Sequence, residues 1–398
     1  MNKKEIIADL IFPRVKETIF DLEKAYPKRS LNEEAIVTRF APSPTGFLHT
    51  GSLFTSLVSW RFAKQTAGVF FVRIEDTDQK REVLGSGEKV LEQLKVFGIS
   101  PDEDIVIGGK YGPYVQSKRK PIYDIVLKEM LLKDLAYPCF CSHEELEEIR
   151  KEQELKKELP GYYKHYAKCR FLTDDEVIKN INQGKDYVLR FKSSGDENRR
   201  VVLEDAIRGR IELPKNMLDI VIMKADGLPT YQFAHAVDDH FMRTTHITRG
   251  EEWLPSVPIH LELFQKLGWE QPIYCHFPVI MKLEDGKRRK LSKRKDEEAS
   301  VDYFLEKGYP IRAFLTYLMT LANSNFEEWR LENPKEDIFN FVLSFNKMSL
   351  DGALFDLEKV NSIARDVLGQ MDKEQFTEQC LAYAKAYNQK LYQHHIYK

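Results

Sequence analysis

The stretch RFAPSPTGFLHTGSLFTSLVSW, residues 39–60, changes character halfway. Pro42, Pro44, Gly46 and Gly51 keep its first half out of a helix. Leu53, Leu57 and Trp60 then recur at helical spacing, which predicts a helix over 53–66 that begins near Gly51–Leu53. The first N–H groups of such a helix have no partner within it and carry the positive end of its dipole. An anion such as a triphosphate is stabilised there. His49 and Ser52 stand at that end as further donors, and Gly46 and Gly51 let a ligand approach the backbone. Taken alone, a Pro/Gly-rich loop with a helix cap accounts for the same residues.

Outward from this stretch, "AIVTRF" (35–40) and "GVFFVRIED" (68–76) read as buried strands, and 85–97 as a helix with Val90, Leu91, Leu94 and Phe97 on one face. Strand, helix, strand, helix with short links predicts an α/β fold around a Rossmann-type parallel sheet. Residues 1–34 read as a helical extension broken at Pro13. The sheet is expected in two halves, 35–137 and 211–275, around an α/β insertion at 138–210. A mainly helical part then runs from 276 to 363, with a short helical remnant at 364–398. The run "EELEEIRKEQELKKEL" in the insertion reads as a solvated helix face.

With 42% hydrophobic and 31% charged residues, the 398-residue chain can build real cores. A net charge of −2 gives no general field for nucleic acid, so any RNA contact must come from local patches. No apolar run approaches the ~18 residues of a membrane span. Acidic residues Glu5, Asp9, Glu17, Asp21 and Glu23 argue against a transit peptide, and the expected compartment is the cytoplasm.

A second motif lies far along the chain. "DGKRRKLSKRKDEE" (285–298) puts seven basic residues into nine positions. A solvated basic loop is the ordinary reading of such a run. Its Lys-x-Ser-Lys core, however, suits a loop that clamps a phosphoryl group in the transition state. Together, Pro42-Ser43-Pro44-Thr45-Gly46 with His49-Thr50-Gly51-Ser52 resembles the HIGH signature of class I aminoacyl-tRNA synthetases. Lys290-Leu291-Ser292-Lys293-Arg294 is similar to their KMSKS loop. "RIEDTD" (73–78), "GPYVQSKR" (112–119), "DGLPTYQFAHAVDDH" (226–240) and "ITRGEEWLPSVPIH" (247–260) resemble bacterial-type glutamyl-tRNA synthetases, in that family's order, over about 37–360.

The resemblance implies an enzyme that joins L-glutamate to ATP, with Mg²⁺, as glutamyl-adenylate and passes glutamate to the terminal ribose of tRNA-Glu, or also of tRNA-Gln. It implies that Pro42, Thr45, Gly46, His49, Gly51, Ser52, Lys290, Ser292 and Lys293 hold ATP, with Lys290 and Lys293 neutralising the leaving pyrophosphate. It places glutamate among Arg39, Ala41, Ser43, Glu75, Tyr231, His235 and Arg249. Arg39 would take the side-chain carboxylate with Tyr231, Arg249 the α-carboxylate, and Glu75 the ammonium. A bidentate guanidinium suits a carboxylate better than an amide. Ser52 replaces a second histidine of the signature. His235 departs from the smaller or amide residues of the family, and either lines the pocket or packs beside it.

Cys139, Cys141 and Cys169 flank a helical hairpin. They are either three buried thiols or a zinc site whose fourth ligand is His165, Tyr163 or Tyr166. The family's helical anticodon-binding domains would follow "FNKMSLDGALFDLEKVNSI" (345–363), where only residues 364–398 stand here. A glutamyl-queuosine tRNA-Asp synthetase-like enzyme, a tRNA-Gln-charging variant and a non-catalytic RNA-binding paralogue are the rival readings. An unrelated nucleotidyltransferase would not need Arg39, Tyr231 and Arg249 together. The chain is expected to act as a monomer.

Overall fold

The computed structural model describes residues 2–44, 48–78, 85–196, 198–292 and 295–396. Thr45, Gly46 and Lys293 lie outside the described residues. Two short helices come first, α1 (Lys3–Ile11) and α2 (Ile19–Ala25), with Pro13 between them. Each starts in a capping box, Asn2 with Glu5 and Thr18 with Asp21, which satisfies N–H groups that the helix cannot.

The first β-α-β unit is β1 (Val37–Phe40), α3 (Thr50–Gln65) and β2 (Val69–Val72), with β1 buried throughout and parallel to β2. In α3, Leu53, Leu57, Val58 and Phe62 face inward and are almost fully buried. Each such side chain contributes about 1.5–3 kcal/mol relative to exposure. Next come α4 (Ser86–Val96), which buries Val90, Leu91 and Leu94, and α5 (Lys120–Leu132).

The insertion holds β3 (Ala136–Cys139), α6 (His143–Lys156), α7 (Asp174–Asn182) and β4 (Val188–Phe191). After it come β5 (Arg200–Asp205), β6 (Gly209–Pro214), β7 (Val221–Met223), α8 (Tyr231–Phe241), β8 (His246–Gly250), α9 (Val257–Leu267) and β9 (Ile273–Phe277). Strand pairing departs from the 138–210 boundary. β7 closes the insertion's antiparallel sheet, β3-β4-β7, whereas β5 and β6 join the sheet β6-β5-β9-β8. A short apolar run does not say which sheet it will join, because register and tertiary contact decide that. β8 runs parallel to β9 and stands beside β1, where the Thr245 N–H donates to the Val37 carbonyl at 3.0 Å.

The part after 276 does not begin as helix. β10 (Met281–Glu284) and β11 (Lys287–Lys290) form an antiparallel hairpin that carries the start of the lysine motif. Helices dominate from Val301: α10 (Val301–Glu306), α11 (Ile311–Ala322), α12 (Phe326–Glu332), α13 (Leu357–Gly369), α14 (Lys373–Tyr387) and α15 (Gln389–Ile396). Phe304 stacks on Phe314 at 3.8 Å, and both share one core with the inner faces of α3 and α4. No helix among the described residues is long and apolar enough to cross a membrane.

Candidate active site

A cleft of about 410 Å³ opens where α3 begins. His49 is the N-cap of α3, and its Nδ1 accepts from the Gly51 N–H at 3.0 Å. The ring hydrogen therefore sits on Nε2, assigned from this bond. Gly51 is explained by the same contact, because a Cβ there would lie 3.3 Å from His49 Nδ1 and crowd the cap. Gly51 and Ser52 line the cleft beside His49, so the open helix start and its donors face one space.

The distant lysine motif is stitched to this helix start. Thr50 donates through Oγ1 to the Glu298 carbonyl at 2.9 Å, and His49 forms an antiparallel bridge with Ser300. Leu291 is buried in the core, while Lys290 remains exposed and lies 2.8 Å from Glu252 across the cleft. Asp296 ties the motif together: it accepts from Arg289 at 2.6 and 2.8 Å and from the Ser292 N–H at 2.8 Å, and Lys282 lies 3.1 Å away. Arg289, followed by smaller contributions from the Ser292 N–H and Lys282, holds the Asp296 carboxyl below its usual range against burial. Pro42 and Ser292 flank the lining without entering it.

The opposite wall is made by Arg39, Ala41, Ser43, Glu75, Tyr231 and Arg249. Arg39, from β1, is buried and held by Asp239 of α8, with Nε at 3.0 and 3.2 Å from its two oxygens. Arg73, wholly buried, donates to Glu75 at 2.9 Å and to Asp239 at 3.0 Å. Arg119 lies 2.6 Å from Asp238, which also accepts from the Tyr123 hydroxyl. Burial works to raise the Asp239 carboxyl, but Arg39, Arg73 and His235 hold it well below its usual value. Burial raises Glu75, with Arg73 opposing. Burial also raises the Tyr231 hydroxyl.

Arg249, at the end of β8, is held differently. Its Nε donates to His276 Nε2 at 2.9 Å and its Nη2 lies 3.4 Å from His260 Nδ1. Its Nη1 is buried and has no hydrogen-bond partner among the described residues.

His235 does not line this cleft. It is fully buried behind Tyr231, with rings 5.8 Å apart, and its Nδ1 lies 3.1 Å from Asp239 out of line for a hydrogen bond. Burial lowers its pKa to about 3, with Asp239 opposing. Its protonation therefore does not tune carboxylate affinity near neutral pH, as a pocket position would allow. Asp239, Arg73, His260 and His276 were not singled out from the sequence. The signal that would have found them is charge inside apolar runs, as in "FAHAVDDHF" and "YCHFPVI".

The three cysteines converge. Their sulfurs lie within 4.8 Å of one another, and Cys141 is 3.6 Å from Cys169. The nearby phenol is Tyr162, with its oxygen 3.2 Å from Cys141 Sγ and accepting from the Cys169 N–H at 3.0 Å. The three residues expected as fourth ligands point elsewhere. Tyr163 donates to the Leu159 carbonyl, Tyr166 donates to Glu158, and exposed His165 packs against Tyr166 with the rings tilted and 4.0 Å apart. Tyr163 is extended and Tyr166 closes a 3₁₀ turn, a local geometry that spacing alone does not reveal.

Residues 35–361 match the catalytic domain of the class I tRNA synthetases for E and Q. The chain belongs to that family. It is therefore a class I aminoacyl-tRNA ligase by descent, with a Rossmann-type catalytic fold. It is 49% identical to a glutamate–tRNA ligase of Clostridium perfringens (strain SM101 / Type A) over 98% of this chain and 71% of that protein. It is also 49% identical to the glutamate–tRNA ligase of Acetivibrio thermocellus, over 97% of this chain and 71% of the relative. A crystal structure of a glutamate tRNA ligase from Elizabethkingia meningosepticum, in complex with its amino acid, superposes with a TM-score of 0.77. That match has 37% identity and covers 86% of this chain and 71% of that one.

Proposed function

We infer that the chain is a glutamate–tRNA ligase, which activates L-glutamate with ATP and transfers it to the 3′-terminal adenosine of tRNA-Glu. The observation that carries the amino-acid assignment is the set of side chains that lines the cleft, Arg39, Glu75, Tyr231 and Arg249 among them. The charged side chains lining the cleft are three cations, Arg39, Arg249 and Lys290, against two carboxylates, Glu75 and Glu252. Glutamate carries the complementary excess of negative charge, and glutamine does not.

In this reading Arg249 receives the α-carboxylate, Glu75 the ammonium, and Arg39 with Tyr231 the side-chain carboxylate. An α-carboxylate oxygen attacks the α-phosphorus of ATP in line, and pyrophosphate leaves. No covalent step falls to the protein, whose role is to position reactants and stabilise charge. Nε2–H of His49, Ser52 and the open N–H groups of α3 hold phosphate oxygens. Lys290 leaves Glu252, and with Lys293 it meets the departing pyrophosphate. Glu75 and Glu252 are paired with Arg73 and Lys290, so the cleft offers no carboxylate cage for Mg²⁺. The ion, which neutralises phosphate charge when bound, comes with ATP. In this reading the chain works as a monomer, and the reaction belongs in the cytoplasm with the tRNA pool.

Cys139, Cys141, Cys169 and the Tyr162 oxygen suit a closed structural zinc site, which would stiffen the insertion that docks the acceptor end of the tRNA. Metal analysis should find stoichiometric zinc that Cys141→Ser loses. A zinc-free native protein would overturn that assignment.

The test of function is ATP–pyrophosphate exchange with glutamate, with and without tRNA-Glu, followed by charging of purified tRNA-Glu, tRNA-Gln and tRNA-Asp. Glutamate-dependent exchange and charged tRNA-Glu are expected. Added charging of tRNA-Gln would make the enzyme non-discriminating. Charging of tRNA-Asp alone, or no exchange at all, would sink the proposal.

A further inference from the structure

The start of α3 and the lysine motif, read above as holding ATP phosphates, meet along a seam. Two contacts across it are direct. Thr50 Oγ1 donates to the Glu298 carbonyl at 2.9 Å, and the Val301 N–H donates to the Leu48 carbonyl at 3.4 Å. A third contact runs through a side chain that belongs to neither element. Gln93 of α4 is buried, its Oε1 accepts from the Leu48 N–H at 2.9 Å, and its Nε2 donates to Asp302 Oδ1 at 2.8 Å. A peptide N–H can only donate and a carboxylate can only accept, so these two partners fix which way the amide faces. The Asp302 N–H in turn donates to Ser300 Oγ at 3.3 Å. Leu48, Gln93, Asp302 and Val301 thus close a ring of contacts at the residue that precedes His49.

The ring needs a side chain that accepts and donates at once. Methionine, of similar length, would leave the Leu48 N–H unpaired although Leu48 is almost wholly buried. Glutamate would still accept from Leu48, but it would set a second carboxyl against Asp302 across the 2.8 Å now spanned by a hydrogen bond. Gln93 is not among the residues lining the cleft, so its effect on the reaction passes through Leu48 and His49 on one side and through residues 298–302 on the other.

We propose that Gln93 is a positioning residue for adenylate formation: it sets the spacing between His49 at the start of α3 and the segment that follows the lysine motif, so that both reach the phosphates of one ATP. This rests on the reading that His49 and the lysine motif hold those phosphates.

The experiment measures ATP–pyrophosphate exchange in the presence of tRNA-Glu, with rates scaled to the folded fraction at the assay temperature. It also measures inhibition by adenosine, which carries no phosphate. In Gln93→Met, kcat/KM for ATP should fall about 10- to 100-fold, the scale of an ångström of misplacement. Glutamate KM and the inhibition constant of adenosine should stay within about 2-fold, because neither ligand uses the phosphate contacts. Gln93→Glu should show the same loss. Adding Asp302→Asn to it should restore most of kcat/KM, since the new amide donates to the new carboxylate, and Asp302→Asn alone closes the double-mutant cycle. That pair carries the test should the methionine variant fold poorly. Unchanged ATP kinetics in both Gln93→Met and Gln93→Glu would overturn the proposal. So would equal weakening of ATP, adenosine and glutamate, which marks a merely structural role, and so would a failure of Asp302→Asn to restore Gln93→Glu. His49→Ala separates the two layers. If it leaves ATP kinetics unchanged, the phosphate assignment itself fails. If it slows exchange while the Gln93 variants do not, only the positioning role fails.

Discussion

Arg39 and Arg249 line the same cleft, are similarly buried, and have opposite surroundings. Arg39 shares Asp239 with Arg73, inside a set where Arg39, Arg73 and Arg119 meet Asp238, Asp239 and Glu75. Arg249 meets only neutral histidine nitrogens and the face of Tyr274, 5.0 Å from the ring centre. On the balanced side the fold itself offsets the arginines' charge, so Arg39 braces the wall as well as lining the cleft. On the other side the fold supplies Arg249 with neutral partners.

The largest expected effect breaks the balanced side. Asp239→Asn leaves buried guanidinium groups without their counter-charge, and should cost about 3–5 kcal/mol in urea denaturation. Wild-type stability would show that the network is not scaffold. Arg249→Gln should give the mirror result: stability within about 1 kcal/mol of wild type, with glutamate KM raised about 100-fold in exchange assays. A stability loss matching that of Asp239→Asn would erase the contrast between the two arginines. Lys293→Ala should sharpen the comparison by acting on neither arginine. Loss of one preorganised cation at the pyrophosphate should slow adenylate formation by about 100-fold or more with little change in glutamate KM. A selective rise in glutamate KM would instead tie the lysine to the amino-acid side.

The smallest effect is a slope. The unfolded chain protonates His235 near 6.5, whereas the folded chain does so only near 3. Below pH 6.5 the unfolded state therefore binds a proton that the folded state refuses. This stability is complete above about pH 6.5 and falls as pH drops, at up to ~1.4 kcal/mol per unit. His235→Asn should flatten acid denaturation between pH 6.5 and 4 by that one-proton share. An unchanged profile would mean that His235 is charged in the fold.

Much of the fold was legible because its signals are local. Proline and glycine stop the chain before Thr50, and Leu53 and Leu57 then fix the inner face of α3. Local signals also located β1, β2 and α4. Partnership was not legible. The apolar run of β7 could have joined either sheet, and the lysine motif begins on a β-hairpin within a part expected to be mainly helical. Tyr162 is distinguished from Tyr163 and Tyr166 only by backbone turns. Arg39, Glu75, Tyr231 and Arg249 were found through motifs, but the partners of the two arginines come from distant elements, Asp239 from α8, His260 from α9 and His276 from β9. Asp205 and His276 are 71 positions apart and meet only because β5 and β9 run side by side.

The N-terminal helices have a mechanical consequence. α1 packs Ala8 and its C-cap Phe12 into the core shared with α5, while Lys3 reaches Asp175 and Lys4 reaches Asp174 on α7 of the insertion. Exposed pairs of this kind hold weakly, and the apolar seam does most of the holding. The leader is thus a splint across the joint between catalytic sheet and insertion. A segment lying before the first strand thus ties together α5 and α7, which stand more than a hundred residues downstream.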